Sequence, residues 1–420
     1  MKSPFTFYVV QHKKSRLPAQ KKIVISPTLT CTTQIKFVLL PQQISIPVRR
    51  YCIDILRAAR RIICAIQLLL LPICLSCGGK FYGQTLADSS RVTLLFVGDL
   101  MQHQAQIDAA RRSDGGYDYS HCFSLVSERI READIAIGNL EVTLGGTPYR
   151  GYPQFSAPDE YLYIMRDIGF DILATANNHS LDRHRRGLER TLSLIDSTGL
   201  AAMGTYRDAA DRSRRYPLMV EAKGMKIAFL CATYGTNGIS TTPPNIVNSL
   251  SRDELEADIR EARSMGADAI IAYVHWGNEY QRYPSSEQQS LAQWLIDQGV
   301  DHVIGSHPHV VQPIEMIPHR DYPTQHAVVY SLGNYVSNMS IAHGDVGMWV
   351  SLTLEKIGSA TRLSRLDYDF VWTERAALSR RGDFRIIPSD TLPADLTPES
   401  RQRMQRAIAS ERTLVEDTLR

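Results

Sequence analysis

Cysteine is scarce in this chain and poorly placed for a scaffold. Seven occur in 420 residues, and five of them (Cys31, Cys52, Cys64, Cys74 and Cys77) precede residue 78. The body keeps only Cys122 and Cys231, in neither a C-x-x-C nor a His-rich spacing, which argues against a zinc knuckle or a disulfide framework. Long apolar runs are also lacking. The most apolar stretch, "IICAIQLLLLPICLS" (62–76), has 15 residues with Gln67 inside, short of the ~20 that span a bilayer, so the chain is not a membrane bundle. No charge sign dominates either: 47 basic residues face 44 acidic ones, a formal net charge of +3. With no RRM, zinc-finger or helix-turn-helix signature, nucleic acid is excluded as a partner class. What remains is an ordinary globular composition, 44% hydrophobic and 22% charged, long enough for one large domain or two average ones.

The first 80 residues stand apart. A basic cluster (Arg49, Arg50, Arg57, Arg60, Arg61) precedes the apolar run, and Ser76 then leads into Cys77-Gly78-Gly79. Basic region, short apolar region and small residue make a secretory signal pattern. A small residue before Cys resembles a bacterial lipoprotein signal, with Cys77 as the acylated residue. The expectation is an exported protein, lipid-anchored to the cell envelope on its periplasmic or surface side. A retained membrane anchor is the alternative. Residues 1–48 show no domain-like pattern and read as an unstructured extension or a mis-assigned start. The expected organisation is then signal segment 49–77, linker 78–91, a catalytic-type domain 92–370 and a helical C-terminal appendage 371–420.

From residue 91 the chain alternates. Strands are expected at 92–98, 133–138, 170–176, 226–233, 268–276, 301–306, 327–333 and 347–355, and most are continuous apolar runs, as in strands buried on both faces. Helical patterns fill 121–132, 188–199, 252–266 and 285–299. Ser251 and Ser285 are candidate N-caps, and Gly199, Gly266 and Gly299 candidate C-caps. Strands alternating with helices give an α/β domain. The run 347–355 alternates more cleanly, as an antiparallel or half-exposed strand would.

The informative residues sit where strands end. Successive strands run into Asp99, into Glu141, into Asn177-Asn178-His179, into His275, and into His307-Pro308-His309. In open α/β sheets ligands bind beyond the carboxyl ends of the strands. One such polar residue is an ordinary helix cap or turn. Five successive strand ends drawn from metal-ligand types are not explained that way. A set of Asp, Glu, Asn and three His suits Mn, Fe or Zn. Six candidate ligands (Asp99, Glu141, Asn178, His275, His307, His309) exceed one tetrahedral zinc, which points to two divalent ions, ~3.5–4 Å apart in the usual phosphoesterase clamp.

These motifs carry a resemblance. "GDLM", "GNLEV", "ANNHSLDRHRRGLERTLSLI", "VHWGNEY", "GSHPHVVQPIE" and "YSLGNYV" appear in the order of the CapA family, the poly-γ-glutamate capsule synthesis proteins, over about residues 92–355. That family resembles a branch of the calcineurin-like metallophosphoesterases. The resemblance implies a four-layer α/β/β/α sandwich with a dinuclear metal site. By it, Asp99 binds one metal and Glu141 stands at the bridging position. Asn178, His275 and His307 hold the second metal, and His309 returns to the first. His179 is then the adjacent acid, with Asp182 orienting it or capping the following helix. Two departures are visible: Met101 stands where the first motif usually has His, with His103 two residues on, and Glu141 replaces an Asp.

Second-tier candidates lie nearby. Arg150, in the Gly/Pro-rich loop 145–161, and Arg282 are candidate contacts for an anionic substrate group. Residues 235–245 form a candidate lid, and "RHRRGLER" (183–190) reads as the wet face of a helix. The resemblance implies an envelope protein of capsule or poly-γ-glutamate-type polymer synthesis, acting as a metal-dependent hydrolase on a phosphoester or anionic polymer and working with a capsule-synthesis membrane complex. The alternatives are a generic periplasmic phosphoesterase and a non-catalytic, metal-stabilised subunit.

Overall fold

The computed structural model describes residues 8–9, 89–319 and 325–419. The expectations for the signal segment 49–77, with Cys77, lie outside the described residues, as do nearly all of those for 1–48 and 78–91. Among the described residues no helix is long and apolar enough to cross a membrane.

In chain order the first half builds β1 (Ser89–Leu100), α1 (Gln104–Ala110), β2 (Ile135–Leu140), α2 (Asp159–Ile168), β3 (Ile172–Ala174), α3 (His184–Thr198) and β4 (Ala201–Met203). The second half builds β5 (Leu218–Ala222), β6 (Met225–Thr233), α4 (Arg252–Ser264), β7 (Ala269–His275), α5 (Ser286–Asp297), β8 (His302–Ser306), β9 (Ile314–Pro318) and β10 (Gln325–Val329). It closes with β11 (Asn334–Val336), β12 (Val346–Ile357), β13 (Ala360–Glu374), β14 (Arg385–Pro388) and α6 (Pro398–Thr418).

Two sheets result. One has the order β14-β13-β12-β1-β2-β3-β4, with β11 also on β1; the other has β5-β6-β7-β8-β10-β9, edged by the two-residue strand Tyr8–Val9. Strands β1 to β4 run parallel, as do β6, β7, β8 and β10. Alternate side chains explain the unbroken apolar runs. Val92, Leu94 and Phe96 of β1 enter a core shared with Ile271 and Tyr273 of β7, between the sheets. Leu95 and Val97 enter a second core with Leu162, Met165, Leu188 and Leu192 of the helices α2 and α3. Ile270, Ala272 and Val274 of β7 enter a third with Leu255 and Ile259 of α4 and Leu295 of α5. Three cores separate four layers, α/β/β/α.

Local signals act as expected at several ends. Ser285 accepts from the Gln288 amide and Gln288 returns the bond, a capping box. Gly199 is left-handed at its helix end, with φ 81. The strand 346–357 is antiparallel to both neighbours. Cys122 and Cys231 are buried free thiols in different cores.

Three expectations need revision. The helix expected at 121–132 is broken into Ser120–Phe123 and Ser127–Glu132. The strand expected at 327–333 ends at Val329, and a further strand follows at Asn334–Val336. β10 stays in one sheet, the chain crosses the gap, and β11 joins the other sheet beside Asp99. Gly333, at φ 65, makes the crossing, and its carbonyl accepts from the Asp99 amide at 3.0 Å. The boundary at 370/371 falls inside β13, and the C-terminal helix is present but does not stand apart. Pro398 sits in its first turn rather than breaking it, and Met404, Ile408 and Val415 complete the inter-sheet core.

A Cβ on Gly98 would lie 1.9 Å from the Gly333 oxygen, so the crossing chain leaves no room there. Gly98→Ala should therefore destabilise the protein by about 3 kcal/mol, measured by urea unfolding. A second expectation concerns acid. His302 is buried, its Nδ1 accepts from the Ala327 amide at 3.0 Å, and burial pulls its pKa down to about 3. Below pH ~6.5 the unfolded chain takes up a proton that the folded chain refuses. Stability should thus be intact above that pH and fall by up to about 1.4 kcal/mol per pH unit toward pH 3 from this group alone. A shallower acid limb in His302→Gln would check it.

Candidate metal centre

The parallel strands of both sheets end on the same side, and their last residues meet in the gap. Asp99, Glu141, Asn178, His275, His307 and His309 are all brought together there, each at most 3% exposed. Ligand atoms of Asp99, Glu141 and His309 lie within 4.8 Å of one another, as do those of Glu141, His275 and His307. Glu141 belongs to both groups. Its Oε1 is 3.6 Å from His275 Nε2 and 3.7 Å from His309 Nε2. Asn178 Oδ1 lies 3.0 Å from the same His275 nitrogen, placing it in the second group.

The electrostatics of this cluster call for a cation. Burial first, and then the Asp99 carboxylate, push the Glu141 pKa well above the usual carboxylate range. Burial and neighbouring imidazoles hold His275 well below its ordinary value, and burial lowers His307 to about 3. Neutral imidazoles are ready metal ligands, and a cation would offset the cost of ionising the buried Glu141. Glu141 Oε1 and His307 Nδ1 are buried without a hydrogen-bond partner, at odds with the usual satisfaction of buried polar atoms. The donor set therefore fits divalent metal ions. His307 and His309 also adopt φ of 102 and 58, conformations that cost an L-residue about 1–3 kcal/mol and cluster at functional sites.

Several supports were not singled out from the sequence. Asn139 donates to Asp99 Oδ1 at 2.8 Å and Glu141 Oε2 at 3.1 Å, and Asn177 fixes it by donating to its oxygen at 3.0 Å. Asn334 Oδ1 faces His309 Nδ1 at 3.0 Å, and Ser306 Oγ faces His275 Nδ1 at 2.9 Å. Exposed Glu279 reaches His307 and His309 as a third ligand grouping. Asn139 and Ser306 could have been read as polar neighbours of ligand positions. Asn334 and Glu279 lie within the motifs "YSLGNYV" and "VHWGNEY", but only the folded chain brings them to His309 and His307.

His179 sits beside the cluster. Its Nδ1 is 2.8 Å from Asp182 Oδ2, and the same oxygen accepts the Phe155 amide at 2.7 Å. Asp182 therefore orients His179 and anchors the loop 145–161; the cap of α3 is Arg183 instead. Phe155 of that loop packs edge-on against His179, with centroids 4.6 Å apart. The candidate lid 235–245 also touches the centre, since Asn178 donates to Asn237 at 3.2 Å.

Other candidates fall elsewhere. Met101 is fully buried in the helix-side core and takes no part. His103 joins none of the ligand groups; its Nδ1 faces Gln106 Oε1 at 3.1 Å and the Asn338 amide at 3.3 Å. Arg282 corrects the reading of a substrate contact. Its guanidinium donates to Ser410 and to the fully buried Glu411 carboxylate at 3.0 Å, fastening α6 to the 277–285 loop. Arg150 is exposed in its loop, where its backbone pairs with Ser156.

Sequence comparison finds relatives among capsule-synthesis proteins. The sequence pattern of a family described as "Bacterial capsule synthesis protein PGA_cap" matches residues 93–339. The capsule biosynthesis protein CapA of Bacillus anthracis is 27% identical over 260 residues, covering 59% of this chain and 60% of that one. The PGA biosynthesis protein CapA of Bacillus subtilis is 27% identical over 282 residues, covering 63% and 68%. The chain thus spans less than two thirds of the Bacillus anthracis protein's length. A solved calcineurin-like phosphoesterase of Bacillus subtilis aligns at 13% identity and a TM-score of 0.38, over 77% of this chain and 100% of that one.

Because one carboxylate serves both groups, Glu141→Gln should abolish binding of both equivalents of Mn²⁺ in calorimetric titration. Asn139→Ala should keep the fold by circular dichroism and weaken Mn²⁺ binding by about 10–100-fold, the scale of outer-sphere losses.

Proposed function

The chain belongs to the bacterial capsule synthesis protein family PGA_cap, and from that premise we propose that it is a metal-dependent hydrolase serving capsule or poly-γ-glutamate-type polymer synthesis. The observation that carries the hydrolase reading is Glu141 Oε1, a buried, unpartnered carboxylate oxygen set between His275 and His309. Divalent ions on Asp99, Glu141 and His309, and on Glu141, Asn178, His275 and His307, would supply Lewis-acid polarisation and a water of lowered pKa. The polymer context is supported by what the two Bacillus relatives are named for, capsule and PGA biosynthesis.

The chain's own residues divide the remaining work. Asp182 accepts from His179 Nδ1 and so leaves Nε2 as the nitrogen that exchanges a proton with the substrate, in the role of general acid toward the leaving oxygen. Phe155 packs against that ring, limits its rotation and keeps bulk water from one face. Asn139 and Asn177 hold the two carboxylates in register. The bond cleaved is a phosphoester or a related bond of an anionic envelope polymer. The signal-like segment ending at Cys77 supports placement of the protein at the envelope by a lipid anchor, near a capsule-synthesis membrane complex.

The full chain, loaded with Mn²⁺, should hydrolyse a phosphoester or a γ-glutamyl substrate. His179→Ala should lower kcat by about 10²–10⁴-fold with metal content unchanged. Two bound equivalents of Mn²⁺ without turnover of either substrate class would sink the hydrolase reading and leave a metal-stabilised subunit.

A further inference from the structure

Four of the six large hydrophobic side chains exposed among the described residues are tyrosines, and three of these overhang the centre from three different loops. Tyr234 is 49% exposed, with its ring centroid 4.5 Å from that of His307 and 6.3 Å from that of His275, nearly parallel to the latter. Tyr280 is 45% exposed and 6.3 Å from His309. Tyr152, the most exposed at 73%, lies 6.3 Å from Phe155, the ring that packs on His179.

No packing need explains these rings. Each is tethered at one edge by the site and leaves much of its surface in water. Tyrosine combines a large flat contact face with little conformational entropy to lose, which suits it to recognising another flat face. The charge at the mouth points the same way. Arg282, the nearest arginine of the 277–285 loop, is engaged by Glu411. That loop instead presents the exposed Glu279, while Arg150 is exposed in the Tyr152 loop. An aromatic mouth with these single charges suits a neutral ring that brings one anionic group to the centre better than a long run of carboxylates.

We propose that the site takes a phosphoester carried on a flat-faced ring, a sugar or a nucleobase-bearing unit, with the ring on the Tyr152/Tyr234/Tyr280 collar and the anionic group at the Asp99/Glu141/His cluster. This rests on the reading of that cluster as a divalent-metal centre. Its test is binding rather than turnover. Glucose 1-phosphate, adenosine 5′-phosphate and the ring-free glycerol 3-phosphate are titrated calorimetrically into the Mn²⁺-loaded full chain carrying His179→Ala, which suppresses hydrolysis. At least one ring-bearing ligand should bind about tenfold tighter than glycerol 3-phosphate, and which one does so identifies the ring. Tyr234→Ala and Tyr280→Ala should erase that preference, while Tyr234→Phe and Tyr280→Phe retain it. Equal affinity for all three ligands, binding of none, or a preference untouched by the alanine variants overturns the proposal. A ring preference without turnover in the unmutated chain would leave this inference standing and remove the hydrolase reading. Turnover without a ring preference would do the reverse.

Discussion

Asp99 and Glu141 are two carboxylates buried at one point between two sheets, and the rest of the centre follows from that burial. Negative charge so close in a low-dielectric setting is costly unless a cation or a proton offsets it. The chain shares one amide, that of Asn139, between both carboxylates. It surrounds them with imidazoles whose pKa values burial has lowered. It also leaves Glu141 Oε1 unpartnered. A protonated carboxyl would accommodate the burial but would give neutral histidines and two strained His conformations no purpose. Divalent metal would account for all of them together.

Architecture makes that arrangement possible. Strands of both sheets that run the same way deliver their carboxyl ends to one gap, so side chains far apart in sequence converge without any long loop having to be ordered. The gap is then stitched by the crossing segment 330–334. It leaves one sheet, passes Gly98 at backbone contact and brings Asn334 to His309. Tyr273 adds a direct tie, its hydroxyl donating across the gap to the Val97 carbonyl at 2.9 Å, two residues before Asp99. The C-terminal helix completes the frame from outside the segment that the family pattern matches. Its buried Glu411 binds both Arg282 and His343, fastening the loops that flank the centre.

Function divides along the same lines. Residues buried in the gap are suited to hold metal and to move a proton, and they tolerate little variation because each partner is shared. Residues on the overhanging loops, with exposed tyrosines and Glu279, face whatever approaches. Packing constrains them far less, so specificity can vary there while the chemistry beneath stays the same.

Much of this was legible in the linear chain. Continuous apolar runs identify strands with two buried faces, and polar residues of ligand type at successive strand ends identify the rim, because both signals are local. Asp99, Glu141, Asn178, His275, His307 and His309 were readable for that reason. The tertiary structure alone decided which residues support them. Arg282 looks like a substrate contact until Glu411, 129 positions away, takes its guanidinium. The run 327–333 looks like one strand, yet the strand ends at Val329 and the chain crosses through Gly333 to the other sheet. Asn334 and Glu279 lie in recognisable motifs, but nothing local pairs them with His309 or His307. Periodicity and residue type report what a segment will bury, whereas partnership across more than a hundred residues depends on where the sheets bring their ends together.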